Sequence, residues 1–104
     1  MLLSTTDTIV GKKITRQLGL AKGNTIRARH IGRDIVAILR HIVGGEITDY
    51  TKMMAESREQ ALDRMIEDAQ KLGANAIVQV HFTTQMVMAG ASEILAYGTA
   101  VVVE

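Results

Sequence analysis

The 104-residue chain contains no cysteine and no tryptophan, and its aromatic side chains are limited to two tyrosines and one phenylalanine. The absence of cysteine excludes disulfide bonds, thiolate zinc sites and cysteine nucleophiles. Large rings supply much of the apolar area of most cores, so this core must be built from aliphatic side chains and six methionines. A domain of this size buries only a modest share of its surface, and we therefore expect it to complete its core with another copy of itself.

The chain also lacks an excess of charge and a long apolar run. Twelve Lys and Arg against eleven Asp and Glu give a net charge of +1, which excludes a polyelectrolyte surface for nucleic acid or acidic membrane. The longest largely apolar stretch, residues 94–103, is about half the ~20 residues that a membrane-spanning helix needs. The N-terminus has no secretory-signal pattern. We expect one domain, residues 1–104, that is cytoplasmic and makes no membrane contact.

The near-neutral total conceals two halves of opposite charge. Residues 1–45 carry eight basic and two acidic side chains, a net of +6, whereas residues 46–104 carry four basic and nine acidic side chains, a net of −5. Opposite charges on one chain favour head-to-tail contact between copies.

Apolar spacing predicts five secondary-structure elements. Residues 13–22 alternate as a strand, with Ile14, Leu18 and Leu20 on one face, between a turn at Gly11 and a tight reversal at Gly23–Asn24. Spacings of three and four predict one helix over residues 31–43 and a second from residue 49 or 51 to residue 72. Glycines follow both predicted helices, as is typical of helix C-termini.

Two further strands are predicted, over residues 76–84 and 94–103, with a glycine-containing turn at residues 89–92 between them. The element order is strand, helix, helix, strand, strand. This order predicts an α+β fold with two helices on one face of a small antiparallel sheet.

Several short strings carry a family resemblance. They are Ile-Gly-Arg-Asp at 31–34, Ile-Val-Gly-Gly at 42–45, Tyr50, Leu-Gly-Ala-Asn-Ala-Ile-Val at 72–78 and Gly-Thr-Ala-Val at 98–101. Occurring in this order along nearly the whole chain, they make it resemble the YbjQ-like family of small bacterial and archaeal proteins. The resemblance implies a dodecin-like β-α-β-β subunit that assembles into a ring, typically a pentamer, and it brings the label "putative heavy-metal-binding". Four residues depart from the family pattern: Asn24, His30, His41 and His81.

The three histidines are the candidate metal ligands, because without cysteine the ligands for a soft or borderline metal must be His and carboxylate. His30 and His41 are eleven residues apart, which on a helix separates them by roughly 16 Å and excludes one shared ion. His81 has only Gln79 and Thr83 as predicted neighbours on its face. The simpler interpretation is three ordinary surface or interface histidines; alternatively, a ring could bring one His30 or His81 from each subunit to its axis.

No catalytic motif is present, and we expect no enzyme activity, no catalytic residue and no cofactor-binding residue. The carboxylates of the second helix fall on its predicted solvent face: Glu56, Glu59, Asp63, Glu67 and Asp68. Arg33 and Asp34, near the start of the first predicted helix, could bind an anion, but an intersubunit salt bridge is the favoured interpretation.

The sequence therefore favours a non-catalytic ring that acts as a scaffold for a small ligand or an ion, of unknown identity. One alternative is metal binding or storage through histidines at symmetry-related positions. Another is a polyanion-binding module that uses the basic N-terminal half, although the aromatic residues that stack on single strands are missing.

Overall fold

The computed structural model describes residues 1–28, 48–88 and 91–104, and these residues confirm the α+β class. The elements are β1 (Leu2–Leu3), β2 (Ile14–Ala28), α1 (Thr48–Lys71), β3 (Ala76–Met88) and β4 (Ala91–Val103). The helix predicted over residues 31–43 lies outside the described residues. Among those described, no helix has the length and apolar character needed to cross a membrane.

The sheet has the order β1-β3-β4-β2. The predicted hairpin is confirmed: β3 and β4 pair antiparallel, with Ala76 opposite Val101 and Thr84 opposite Ile94. Both strands are longer at the turn than predicted, since β3 runs on to Met88 and β4 begins at Ala91. The far half of β3 is exposed on both faces, and the polar run Thr83-Thr84-Gln85 interrupts its apolar pattern.

The prediction of a purely antiparallel sheet is wrong, because β1 pairs with β3 in parallel. The N–H of Leu2 donates to the carbonyl of Asn75 at 3.2 Å, and the N–H of Ser4 donates to the carbonyl of Ile77 at 2.9 Å. A strand of two residues is too short to have a detectable period, so tertiary pairing alone defines it.

The tight reversal predicted at Gly23–Asn24 is also wrong, because β2 continues through both residues to Ala28. Gly23 is buried beneath α1, and a Cβ at this position would overlap the backbone of Met65 and Ala61. Glycine stands here because the helix lies against the strand backbone, and not because the chain turns.

A β-bulge changes which side chains of β2 are buried. The register with β4 shifts between Gln17 and Gly19, and Gly19 has a φ of 118°. Leu18 and Ala21 consequently both pack in the core under α1, whereas Leu20 is 60% exposed. The prediction that Leu20 shares a face with Leu18 fails because one extra residue reverses the alternation.

Helix α1 confirms the second predicted helix almost to the residue, and Gly73 with a φ of 89° follows its end. It packs mainly on β2 through Ala61, Met65 and Ala69, which are fully buried. A second, smaller core lies at the end of the sheet where β4 finishes, and it includes Val101, Val103 and the N-terminal Ile9. The core is aliphatic, as the shortage of aromatic residues requires.

Candidate functional site

The face of the sheet opposite α1 carries the polar side chains of the three long strands, and we call it the open face. On β2, Ala21 and Thr25 are buried beneath α1, whereas Lys22 and Asn24 are exposed. The side chains of Lys22 and Asn24 therefore lie on the open face. Three rows of side chains cross it from β3 through β4 to β2: His81, Tyr97 and Lys22; Thr83, Leu95 and Asn24; Gln85, Glu93 and Ile26.

Glu93 is the centre of a hydrogen-bond network that joins these strands. The amide nitrogen Nδ2 of Asn24 donates to its Oε2 at 3.0 Å, and Nε2 of Gln85 donates to its Oε1 at 3.0 Å. The carboxylate is half-buried and held from both sides by neutral amides. The two amides therefore fix the position of the carboxylate on the open face, and its oxygens have lone pairs left for a further donor.

At the outer edge of β2, where no strand from residues 1–28, 48–88 or 91–104 pairs, side chains of α1 bond to the strand backbone. The backbone N–H of Lys22 donates to Oδ2 of Asp68 at 3.0 Å, and Nη1 of Arg64 donates to the carbonyl of Asn24 at 2.6 Å. The hydroxyl of Thr25 donates to the carbonyl of Ser57 at 3.2 Å in the buried interior. Polar side chains of the helix thus satisfy edge groups that would otherwise require water.

A cleft of about 380 Å³ forms where this edge meets the open face. Its lining combines one ammonium, one amide, two carboxylates and one aliphatic side chain: Lys22, Asn24, Asp68, Glu93 and Leu95. The volume lies within the range of about 300–1,000 Å³ that is typical of small-molecule sites. Opposite charges at fixed places around an aliphatic surface can orient a small charged molecule.

Of the three predicted metal ligands, only His81 lies within the described residues. His81 is exposed on β3, and its ring lies 5.5 Å from the ring of Tyr97 at an interplanar angle of 33°. Gln79 does not continue the row of His81, because a bulge at Gln79, with a φ of 55°, interrupts the alternation. Across residues 1–28, 48–88 and 91–104, no three His, Asp or Glu side chains are grouped closely enough to hold a metal ion.

The other predicted site residues, His30, His41, Arg33 and Asp34, lie outside the described residues, as do most of the arginines of the basic half. Their proposed roles stay predictions. Four of the five carboxylates predicted on the solvent face of the second helix are exposed: Glu56, Glu59, Asp63 and Glu67. The prediction is wrong for Asp68, which is half-buried and accepts a hydrogen bond from the backbone of β2.

Sequence reasoning missed the residues around the cleft. Glu93 was the available signal, since it is the only acid within the apolar segment from residue 91 to residue 103. Asp68 gave no such signal, because it continues a run of helix carboxylates. Only the packing of α1 on β2 brings Asp68 to Lys22, which is 46 residues away in the chain.

Comparison with known proteins places the chain in a family. The model of a family described as "Putative heavy-metal-binding" matches residues 1–104. The chain belongs to this YbjQ-like family. The resemblance carried by the sequence motifs is thereby confirmed.

Relatives from distant organisms share more than half of its residues. A UPF0145 protein of Methanosarcina acetivorans is 62% identical over 101 residues, which cover 97% of this chain and 95% of that protein. A UPF0145 protein of Dehalococcoides mccartyi is 59% identical over 104 residues and is covered completely. Another, from Pyrococcus furiosus, is 57% identical over 104 residues, covering 100% of this chain and 91% of that protein.

A solved structure shares the fold. The crystal structure of a protein of unknown function of the DUF74 family, from Pediococcus pentosaceus, matches with a TM-score of 0.68 over 100% of this chain and 98% of that chain. The sequences are 14% identical. At this identity the likeness concerns the small α+β fold alone, and function has to be argued from the site.

Proposed function

We propose that this chain is the subunit of a homo-oligomeric, dodecin-like ring that holds a small ligand or an ion and has no catalytic activity of its own. Five subunits is the number that the family resemblance implies. The observation that carries the proposal is the outer edge of β3 beyond Val80, where no strand of the described residues pairs and apolar side chains are exposed.

The N-terminal segment covers the outer edge of β3 only as far as Val80. The N–H of Gln79 donates to the carbonyl of Thr6 at 3.0 Å, and the N–H of Val80 donates to the carbonyl of Ser4 at 2.9 Å. From residue 81 to residue 88, no strand of the described residues pairs with this edge. Such a row of backbone donors and acceptors is a template for a strand from another chain.

Exposed apolar side chains lie along the same edge. Phe82 and Met86 are 46% and 73% exposed. They lie opposite Ala96 and Ser92 of β4, on the face of the sheet where α1 packs, but α1 lies over β2 and leaves them uncovered. Removing apolar surface from water lowers the free energy by about 25 cal/mol for each Å². A partner that covers this edge is therefore stabilised by it.

A second copy of the chain fits this edge because the sheet ends in β2 on its other side. If β2 of one copy pairs with β3 of the next, the sheet continues across the boundary. The helix α1 of the added copy, which packs on β2, then approaches the face that carries Phe82 and Met86. Since Asp68 and Arg64 occupy the edge of β2 at Lys22 and Asn24, the pairing residues lie outside that short stretch.

This contact is heterologous, since two different edges meet. Heterologous contacts repeat from copy to copy and close into a ring when the rotation between copies allows it. The basic first half and the acidic second half of the chain, +6 and −5, support head-to-tail contact of this kind.

The experiment compares two variants, Met86→Lys and Val10→Lys, by sedimentation velocity. Met86→Lys places a charge on the open edge, and we expect it to shift the protein from oligomer to monomer. Val10→Lys, at a position that is 99% exposed in the N-terminal segment, is the matched control and should leave the oligomer intact. An oligomer that survives Met86→Lys unchanged would place the contact elsewhere.

The alternative function is metal storage by the ring. The exposed position of His81 on the open face favours it, because a ring presents one such imidazole from each subunit. Calorimetry with zinc should then show sub-micromolar binding with fewer than one ion per subunit, abolished in His81→Asn. The absence of binding tighter than micromolar with zinc, copper and nickel would remove this alternative.

A further inference from the structure

The cleft between β2, β4 and α1 has a charge pattern that specifies a ligand. We propose that it binds a linear basic amino acid, such as lysine or ornithine, with the α-carbon end at Lys22 and Asp68 and the side-chain cation at Glu93. The inference rests on the proposed function, because it names the small ligand that the scaffold holds.

One end of the cleft matches an α-amino acid head group. Asp68 is fixed beside β2 by the hydrogen bond that its Oδ2 accepts from the N–H of Lys22 at 3.0 Å. The side chain of Lys22, which ends in an ammonium group, lines the same cleft. A ligand carboxylate can pair with Lys22 while its α-ammonium pairs with Asp68, which forms two charge-assisted contacts.

The other end of the cleft presents a second carboxylate, that of Glu93. Its backbone lies four residues along β4 from Tyr97, the residue opposite Lys22, which corresponds to about 13 Å of strand. Both side chains line the cleft, and Oε2 of Glu93 accepts from Asn24, two residues from Lys22, so the charged ends lie closer together than these backbone positions. A ligand that contacts both carboxylates needs its two cations on different carbons joined by a chain, whereas a compact zwitterion with both charges on one carbon reaches only one end.

The floor between the two ends suits an aliphatic chain. Leu95 lies between Glu93 and Tyr97 on the open face and is half-buried. Methylene groups of the ligand that pack on Leu95 would be removed from water, and this removal favours binding. The amide of Asn24 is already committed to Glu93, so it holds the carboxylate in place rather than competing for the ligand.

The placement of the charges distinguishes a basic amino acid from other ligands of similar length. The lining side chains Lys22, Asp68 and Glu93 carry a formal charge of −1, and the guanidinium of Arg64 borders the cleft at the carbonyl of Asn24. A basic amino acid has a net charge of +1 and a carboxylate for Lys22. A diamine brings two cations and leaves Lys22 without a partner and repelled, and an acidic amino acid would meet Glu93 with a like charge.

The test uses isothermal titration calorimetry with L-lysine and three analogues that each lack one group. Cadaverine lacks the carboxylate expected at Lys22, norleucine lacks the cation expected at Glu93, and 6-aminohexanoate lacks the α-ammonium expected at Asp68. We expect one lysine per subunit, and each analogue should bind about ten- to a hundred-fold more weakly, as the loss of one charged hydrogen bond predicts. Cadaverine or norleucine binding as tightly as lysine would overturn the assignment of the charges.

Matched variants assign each end of the cleft separately. Glu93→Gln should weaken lysine at least ten-fold while leaving norleucine unchanged, and Lys22→Met should weaken lysine while leaving cadaverine no weaker. Glu67→Gln and Lys12→Met make the same chemical changes at exposed positions away from the cleft and should bind lysine normally. Circular dichroism of all four variants verifies that they are folded.

The outcomes separate this inference from the ring. All the lining residues come from one chain, so a monomer that binds lysine would contradict the ring and support the cleft. An oligomer that binds no lysine at millimolar concentration, or that binds it equally well in Glu93→Gln and Lys22→Met, would overturn the cleft and leave the ring standing.

Discussion

At the scale of single residues, Gly23 sets how closely α1 approaches the sheet. The space that a Cβ would need is filled by backbone of Met65 and Ala61, and neither can rotate away as a side chain could. The same close approach lets Asp68 and Arg64 reach the edge of β2. Gly23 therefore supports both the core and the wall of the cleft.

Gly23→Ala should lower the free energy of unfolding by about 3 kcal/mol or more, because an overpacked methyl group must displace the helix backbone. Urea denaturation followed by circular dichroism measures this. Arg16→Ala, at an exposed position in the same strand, is the control and should change stability by less than about 0.5 kcal/mol. Equal stability of the two variants would show that the helix moves away at little cost.

Asn75 joins the end of β4 to the residues that follow α1. Its Nδ2 donates to the carbonyl of Val103 at 2.9 Å, and its Oδ1 accepts the N–H of Val103 at 2.8 Å. Asn75→Ala should cost about 1–3 kcal/mol in the free energy of unfolding, because a backbone pair loses its partner. Asn75→Asp keeps the acceptor for the N–H of Val103 but turns a carboxylate oxygen toward its carbonyl, so it should be destabilising in the same denaturation measurement; an Asn75→Ala variant as stable as the unmodified chain would contradict this role.

The residues of the candidate site were harder to predict than those of the core. Ala61, Met65 and Ala69 follow the helical period and are buried as that period predicts. The cleft instead depends on contacts between distant segments, such as Asp68 with Lys22 and Asn24 with Glu93. No local pattern encodes such pairs, so the sequence alone could at most mark Glu93 as an acid in an apolar strand.

At the scale of elements, length and periodicity decided what could be predicted. Helix α1 and the β3–β4 hairpin carry long apolar patterns, and both predictions are confirmed. The two-residue strand β1 has no such pattern, and the bulge at Gly19 breaks the pattern of β2. Gly23–Asn24 resembles a turn by composition, but tertiary packing requires a glycine within the strand.

The open edge of β3 can be tested by removing one backbone donor. Alternate residues of a strand point their N–H groups the same way, so Thr84 shares the outward direction of Val80, which donates to Ser4. Thr84→Pro removes an N–H that no described strand accepts, and proline is tolerated at such edges. We expect a folded monomer by circular dichroism and sedimentation.

Thr84→Val is the matched control, because it keeps both the N–H and the β-branched shape, and it should remain oligomeric. If Thr84→Pro also stays oligomeric, strand pairing at this edge does not hold the subunits together.

At the scale of the whole molecule, the proposed ring depends on two terms that respond differently to salt. Burial of Phe82 and Met86 is insensitive to moderate salt, whereas attraction between the basic and acidic halves is screened over about 8–10 Å at physiological ionic strength. Raising salt well above that level should loosen the assembly, measured as a higher dissociation constant in light scattering. If the dissociation constant does not change with salt, the apolar edge alone stabilises the oligomer.

The most direct test of the proposed ring is sedimentation velocity of the unmodified chain at low micromolar concentration. We expect one main species with a mass of several 11.3 kDa subunits, five being the number implied by the family resemblance. A single species of 11.3 kDa would contradict it, because the open edge of β3 would then be stable in water without a partner.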